Sequence, residues 1–316
     1  MKLILAFAAA FLLAFTANAE LHGTWTVDHS WKSDAGTIQL NLNRPHHQFG
    51  SSFPIAALSG LTAADVDSQG DVKFELRREA GTIAFEGSFL HGQGAGHFVF
   101  TPSTSYAASL RAIGVRSDDD LDDDKLMSLA LHDVSTDFIR VMRAQGYDEP
   151  LDHYVSMRIF RVTPELVTEL RSLGYDHLSF DHLIASRIHK VTPDYIRATR
   201  AAGYPNLSMD QLVATRIHGA TPEFQQKMAN LGYTHLEYDD LIAFRIHGVS
   251  PEFVGALRDL GYKSVAADDL VAMRIHGVTP DYIRAVEKAG YENVPVEKLI
   301  QMKIHGIDAK YLSTVR

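Results

Sequence analysis

The sequence predicts an α+β protein, with a small N-terminal antiparallel β domain followed by an α-solenoid of about 29-residue αα repeats. Three observations carry this. Residues 23–100 alternate apolar and polar with period two. After Thr101-Pro102 the period becomes helical. From there on, three short markers recur in one register to the end of the sequence, which is the signature of a repeat architecture.

The chain opens with Lys2, an apolar run from Leu3 to Phe15, and Ala17-Asn18-Ala19. A charged start, a short hydrophobic stretch and a small-x-small site read as a secretory signal peptide over residues 1–19. The run falls short of the roughly 20 residues a membrane helix needs, so no integral span is expected in the mature chain. The expected location is the bacterial periplasm or the exterior, after cleavage near Ala19. The absence of cysteine makes the chain indifferent to redox conditions, which is compatible with export, and removes disulfides, thiolate metal sites and cysteine nucleophiles.

Residues 20–102 form the expected β domain. Gly23 to Val27, Gly36 to Leu42, Val72 to Arg77, Thr82 to Glu86 and His97 to Phe100 read as strands, with Val72, Phe74 and Leu76 on one face. Half-polar alternation implies a sheet buried on one side, so a sandwich or curled meander of about six strands is predicted. Gly81, Gly87, Gly92, Gly94 and Gly96 are expected at turns or bulges. Trp25, Trp31, His29, His46 and His47 cluster in sequence; the tryptophans are expected in the core rather than on a sugar-stacking surface.

Residues 103–316 form the expected solenoid, with units starting near 103, 135, 163, 192, 221, 250 and 279 and a partial one from 307. Starts are marked by Ser135, Thr163-Pro164, Thr192-Pro193, Thr221-Pro222, Ser250-Pro251 and Thr279-Pro280, spaced 28 and then 29. A capping hydroxyl followed by proline at the first helical position is a helix start. Gly-Tyr at 146–147, 174–175, 203–204, 232–233, 261–262 and 290–291 marks the stop of each leading helix. Arg-Ile-His at 187–189, 216–218, 245–247 and 274–276, with Lys303-Ile304-His305, ends each trailing helix. Helices of about ten residues are marginal alone and need stacked neighbours.

The formal charge is −9, and Asp118 to Asp124 supply six negative charges that read as one solvated loop, which also feeds negative charge to the next helix start. Such a balance excludes the clustered basic surface that nucleic acid demands. The loop is no EF-hand, lacking the central glycine and the terminal glutamate. Zincin, nucleophile-elbow and phosphate-loop motifs are missing, so an enzyme is not expected and no cofactor is assigned.

The candidate metal ligands are His189, His218, His247, His276 and His305. Equivalent residues of stacked helices stand about 8–10 Å apart, whereas zinc needs several nitrogens converging at about 2 Å. The expected histidine role is therefore to bond a free carbonyl at the helix end or to pack against the next repeat, as Phe160 at the same position can. The arginines at 158, 187, 216, 245 and 274 are expected to bridge the acidic ladder Glu165, Asp194, Glu223, Glu252 and Asp281. Each repeat tyrosine is expected to pack back on the helix it follows. Partner contacts are assigned to positions that differ between units: Arg197, Arg200, Gln225, Gln226, Lys227, Asp259 and Lys288. Self-association is assigned to Tyr311, Leu312 and Val315.

Phe49 to Pro54, Arg78 to Thr82, Phe85 to Phe89 and Gly94 to Pro102, with the Val-Thr-Pro, Leu-Gly-Tyr and Arg-Ile-His-Gly-Val repeats, resemble the extracytoplasmic tail of bacterial BlaR-type sensor metallopeptidases and of stand-alone exported proteins with that tail. The resemblance implies an envelope location and a sensing or binding role. The chain has no zinc motif, so no catalytic role carries over. The expected function is a protein-protein interaction scaffold. The alternatives are a subunit that assembles head to tail through its last repeat, or a metal- or glycan-binding envelope protein.

Overall fold

The structure, a computed structural model, describes residues 20–27, 36–45, 47–116, 121–234, 236–308 and 311–312. The signal-peptide expectation, Trp31, His29, His46, Asp118 to Asp120 and Val315 lie outside them. The chain forms two compact units, Met1–Ile159 and Phe160–Arg316.

The first unit holds one six-stranded antiparallel sheet: β1 Leu21–Val27, β2 Thr37–Arg44, β3 His47–Pro54, β4 Gln69–Arg78, β5 Gly81–Leu90 and β6 Gln93–Pro102. The spatial order is β3-β2-β1-β6-β5-β4. Two three-stranded meanders are thus joined where β1 pairs with β6, Leu21 opposite Phe100 and Trp25 opposite Gly96. The result is a single meander-built sheet rather than a sandwich. The segment 54–61, unreadable from sequence, ends β3 and turns through a 3-10 helix, Ile55–Ala57. Helix α1, Ala63–Asp67, follows with a capping box between Thr62 and Asp65.

Alternation sets the buried face. Ile38, Leu40 and Leu42 of β2, Val72, Phe74 and Leu76 of β4, and Ile83, Phe85 and Phe89 of β5 are all buried. Trp25 is fully buried at their centre, its ring 5.4 Å from Phe74 and 5.5 Å from Phe89. Gly87, Gly94 and Gly96 are not at turns. They sit inside β5 and β6, where an added Cβ would come within 2.8 Å, 2.8 Å and 2.7 Å of the Trp25 indole. These strands dispense with side chains so that the largest one can lie flat across them.

Helices α2 Tyr106–Ala112, α3 Asp123–Leu131, α4 Thr136–Ala144 and α5 Leu151–Ile159 complete this unit. Helix α3 packs on β4, β5 and β6. The end of the acidic run feeds negative charge to its start, as the sequence predicts. Asp122 caps the helix, accepting from the Lys125 N–H at 2.8 Å, and Asp123 and Asp124 fill its first turn. Carboxylates there meet the unpaired N–H groups of the helix end. The sheet also reaches the helices: Glu79, in the β4–β5 turn, accepts from the Thr136 N–H (2.7 Å) and hydroxyl (2.8 Å) at the start of α4. The division after Ile159, rather than at the change of period near 102, follows from these contacts.

The second unit is built of helix pairs. The leading helices are α6 Pro164–Ser172, α8 Pro193–Ala201, α10 Pro222–Asn230, α12 Pro251–Asp259 and α14 Pro280–Lys288. The trailing helices are α7 Phe180–Ile188, α9 Met209–His218, α11 Tyr238–His247, α13 Ala267–Ile275 and α15 Val296–Ile304. Trailing helices contact one another in series, and so do α8, α10, α12 and α14, giving two layers. The core between them repeats: Phe244, Val249, Val254 and Leu257 recur as Met273, Val278, Ile283 and Val286.

The markers do what the sequence predicts for helix ends. Each start hydroxyl, as at Thr192 and Ser250, accepts from the N–H three residues on, at 3.2 Å in both cases. Each leading helix stops in a Schellman motif: the Gly203 N–H donates to Arg200 and the Tyr204 N–H to Thr199. Trailing helices end the same way, with a left-handed residue at Gly219, Gly248, Gly277 and Gly306 but also at Asp133, Arg161 and Lys190.

Candidate functional site

Two ladders turn out to be internal joints. Among the described residues no ion pair joins the arginines of the trailing helices to the acidic ladder, although Arg216 and Arg245 add their charge to the helix-start hydrogen bonds that lower the pKa of Glu223 and Glu252. Instead, the Nε of each donates to a carbonyl at the end of the trailing helix one repeat earlier: Arg245 to His218 at 3.2 Å, Arg274 to His247 at 3.4 Å, Arg187 to Phe160 at 2.9 Å and Arg216 to Lys190 at 3.1 Å. The guanidinium also lies over the ring 21 residues upstream, Arg216 on Tyr195 at 3.8 Å, Arg245 on Phe224 at 4.8 Å and Arg274 on Phe253 at 5.0 Å. Arg187 meets no such ring because position 166 is leucine. Carbonyls left unpaired at a helix C-terminus are ready acceptors for a guanidinium N–H.

The tyrosines also reach forward. The backbone N–H closes the preceding helix, but the hydroxyl crosses to the next repeat. Tyr175 donates to the Leu207 carbonyl at 2.8 Å, Tyr204 to Leu236 at 3.0 Å, Tyr233 to Val265 at 2.7 Å and Tyr262 to Val294 at 2.7 Å. Burial raises the phenol pKa at each, pushing Tyr204 up to about 12 with help from Glu237 and Asp240. Tyr291, the next in line, is half exposed. It borders a groove of about 550 Å³ with Val294, Met302, Ile307, Tyr311 and Leu312.

The expected contact positions separate into three groups. Gln225 is buried and is corrected: it occupies the core column of Ile196, Val254 and Ile283, and cannot meet a partner. Arg200 is half-buried, donating to the Leu173 carbonyl at 2.5 Å across the Tyr175 ring, and Arg197 holds Glu169 at 2.5 Å and Asp194 at 2.6 Å. Gln226, Lys227, Asp259 and Lys288 are exposed on leading helices. Tyr311 is exposed and Leu312 buried.

The candidate metal ligands stay in a row, one per repeat. His189, His276 and His305 are cap residues, while His218 and His247 end their helices; all but His189 are exposed. Among the described residues, no three His, Asp or Glu side chains come together as a metal site would require.

The residue that the sequence reading passed over stands between the arginine and the histidine. Ile188, Ile217, Ile246, Ile275 and Ile304 are 50–57% exposed, and Ile159 of the first unit 48%. A side chain left half in water stabilises no core, yet the same residue recurs at this position in every trailing helix from α5 to α15. The signal was present in the helical period. Ile246 lies two residues, about 200°, past the buried Phe244, so it must face outward. One turn earlier on the same face is a half-buried aliphatic row, Ile184, Val213, Ile242, Val271 and Ile300, and two turns earlier an exposed acidic row, Asp181, Asp210, Asp239, Asp268 and Glu297.

Comparison with family models, with curated proteins and with solved structures gives no match for this chain.

Proposed function

We propose that this chain is a non-enzymatic, exported repeat protein that acts as a protein-protein interaction scaffold in the bacterial envelope or outside the cell, and that its contact face is the outer surface of the trailing helices. The observation that carries the reading is the row of exposed isoleucines. Contiguous apolar surface is costly to leave in water and marks interaction sites on soluble proteins. The leader-like residues 1–19 and the resemblance to envelope sensor tails support the location. A photoreactive residue placed at Ile246, in the producing cell, is expected to form a discrete adduct with a protein. The same residue at Lys227 on the leading helix is the control. No adduct at position 246, or an equal one at 227, refutes this face.

A second reading, assembly through the terminal groove, is favoured by Tyr291, whose equivalents Tyr175, Tyr204, Tyr233 and Tyr262 donate to a following repeat. If it holds, Tyr291→Phe lowers self-association of the chain; unchanged sedimentation refutes it.

A further inference from the structure

We infer that the occupant of the isoleucine face is a second copy of this chain, packed trailing layer against trailing layer with a two-fold axis running along the stack. The inference rests on the scaffold reading and names its partner. Three arguments support it.

The first is period. The exposed row has one isoleucine per helix, and stacked helices repeat about every 8–10 Å. A ligand of any other period slips out of register within a few repeats. A second copy carries the same period by construction, so all five trailing helices of the second unit can engage together.

The second is charge. Along each trailing helix the exposed face reads acid, aliphatic, isoleucine, histidine, as in Asp239, Ile242, Ile246 and His247. Asp239 and Ile246 are seven residues, about 10 Å, apart. An axis between the two aliphatic rows sets each exposed isoleucine on the partner's half-buried row. It also sets each acidic residue over the partner's histidine end. The ladder cations Arg216, Arg245, Arg274 and Lys303 stay part-exposed at that end while engaged in their joints, so its potential is positive toward the partner's carboxylates without a direct ion pair. An isologous contact of this kind closes on itself and does not propagate.

The third is area. Half of each isoleucine leaves on the order of 80–100 Å² open, and five give roughly 400–500 Å² per copy, the size of the largest apolar patch on an ordinary monomer. With the adjoining aliphatic row and the polar rows at its rim, two copies together pass the roughly 1,000 Å² of a specific interface.

Sedimentation of the full chain across concentration tests this. A monomer–dimer equilibrium is expected, weakened at least ~10-fold by Ile217→Arg with Ile246→Arg. Both positions are exposed, so at dilutions where the parent is monomeric the melting curve of this variant is expected to match that of the parent, and Tyr291→Phe is expected to leave the dimer intact. Because the chain has no cysteine, an Asp239→Cys chain mixed with a His247→Cys chain is expected to form a disulfide-linked pair faster than either alone. A chain that stays monomeric at every concentration overturns the inference. If the monomer still gives an adduct at position 246 with a different protein, the scaffold reading survives alone. If it gives none, both fall.

Discussion

Replacing Gln225 with isoleucine tests the repeat logic at its most telling position. In the other repeats this column holds Ile139, Val167, Ile196, Val254 and Ile283, all buried. The Gln225 side chain is also buried; its Nε2 donates to the Ala220 carbonyl at 3.0 Å, while its buried Oε1 meets no donor among the described residues. An unmet buried acceptor costs about 1–3 kcal/mol, and the surviving hydrogen bond returns about 1 kcal/mol. Isoleucine is of similar size and meets Ala220 where most repeats place the larger valine, so no overpacking follows. Gln225→Ile is therefore expected to stabilise the repeats by about 1–2 kcal/mol. In urea unfolding followed by far-UV circular dichroism this reads as a midpoint rise of roughly 0.5 M at unchanged slope. Tryptophan fluorescence, which reports the sheet domain, should not move with it. A lower midpoint would refute the column assignment and return Gln225 to the surface positions at which a partner could dock.

Four further outcomes are expected. Tyr233→Phe should cost about 1 kcal/mol by orphaning the Val265 carbonyl, whereas Tyr291→Phe should change stability little, as paired denaturation curves will show. Lys190→Gly should stabilise by about 1 kcal/mol because Lys190 holds a left-handed φ of 57°; Gly248→Ala should destabilise, as it adds strain at φ 73° and a Cβ 3.0 Å from the Arg274 guanidinium. Gly96→Ala should prevent the sheet from closing, since its Cβ would lie 2.1 Å from the Glu86 carbonyl; loss of cooperative fluorescence unfolding is the readout. Burial, and then the nearby Arg158, lower the His132 pKa from 6.5. The unfolded chain then binds the proton more readily, so this contribution is present above pH 6.5 and is lost as pH falls below it. His132→Phe, which places at 132 the residue found at 160, should flatten that acid limb of the stability curve.

Sequence alone determined most of what depends on neighbours within a turn of chain, the short helix α1 and its Thr62–Asp65 capping box excepted. The hydroxyl starts, the glycine stops and the two periods are local devices, because a cap bonds its own helix and a glycine relieves its own φ. The repeat length and five of the six strands were legible for that reason, whereas β3, His47–Pro54, lacks the alternation that marks the others. Partners 20 or more residues away were not. Arg245 turns from Glu252 to the carbonyl of His218, and Tyr233 leaves its own helix for Val265, because only the stack brings those carbonyls into reach. Gly87, Gly94 and Gly96 read as turns until Trp25 is laid across them. The candidate face was half legible: the helical period points Ile246 outward, but the loudness of its arginine and histidine neighbours made the triplet look like one folding device. Packing decided otherwise, since the arginine is spent on a joint between repeats and the isoleucine is left in water.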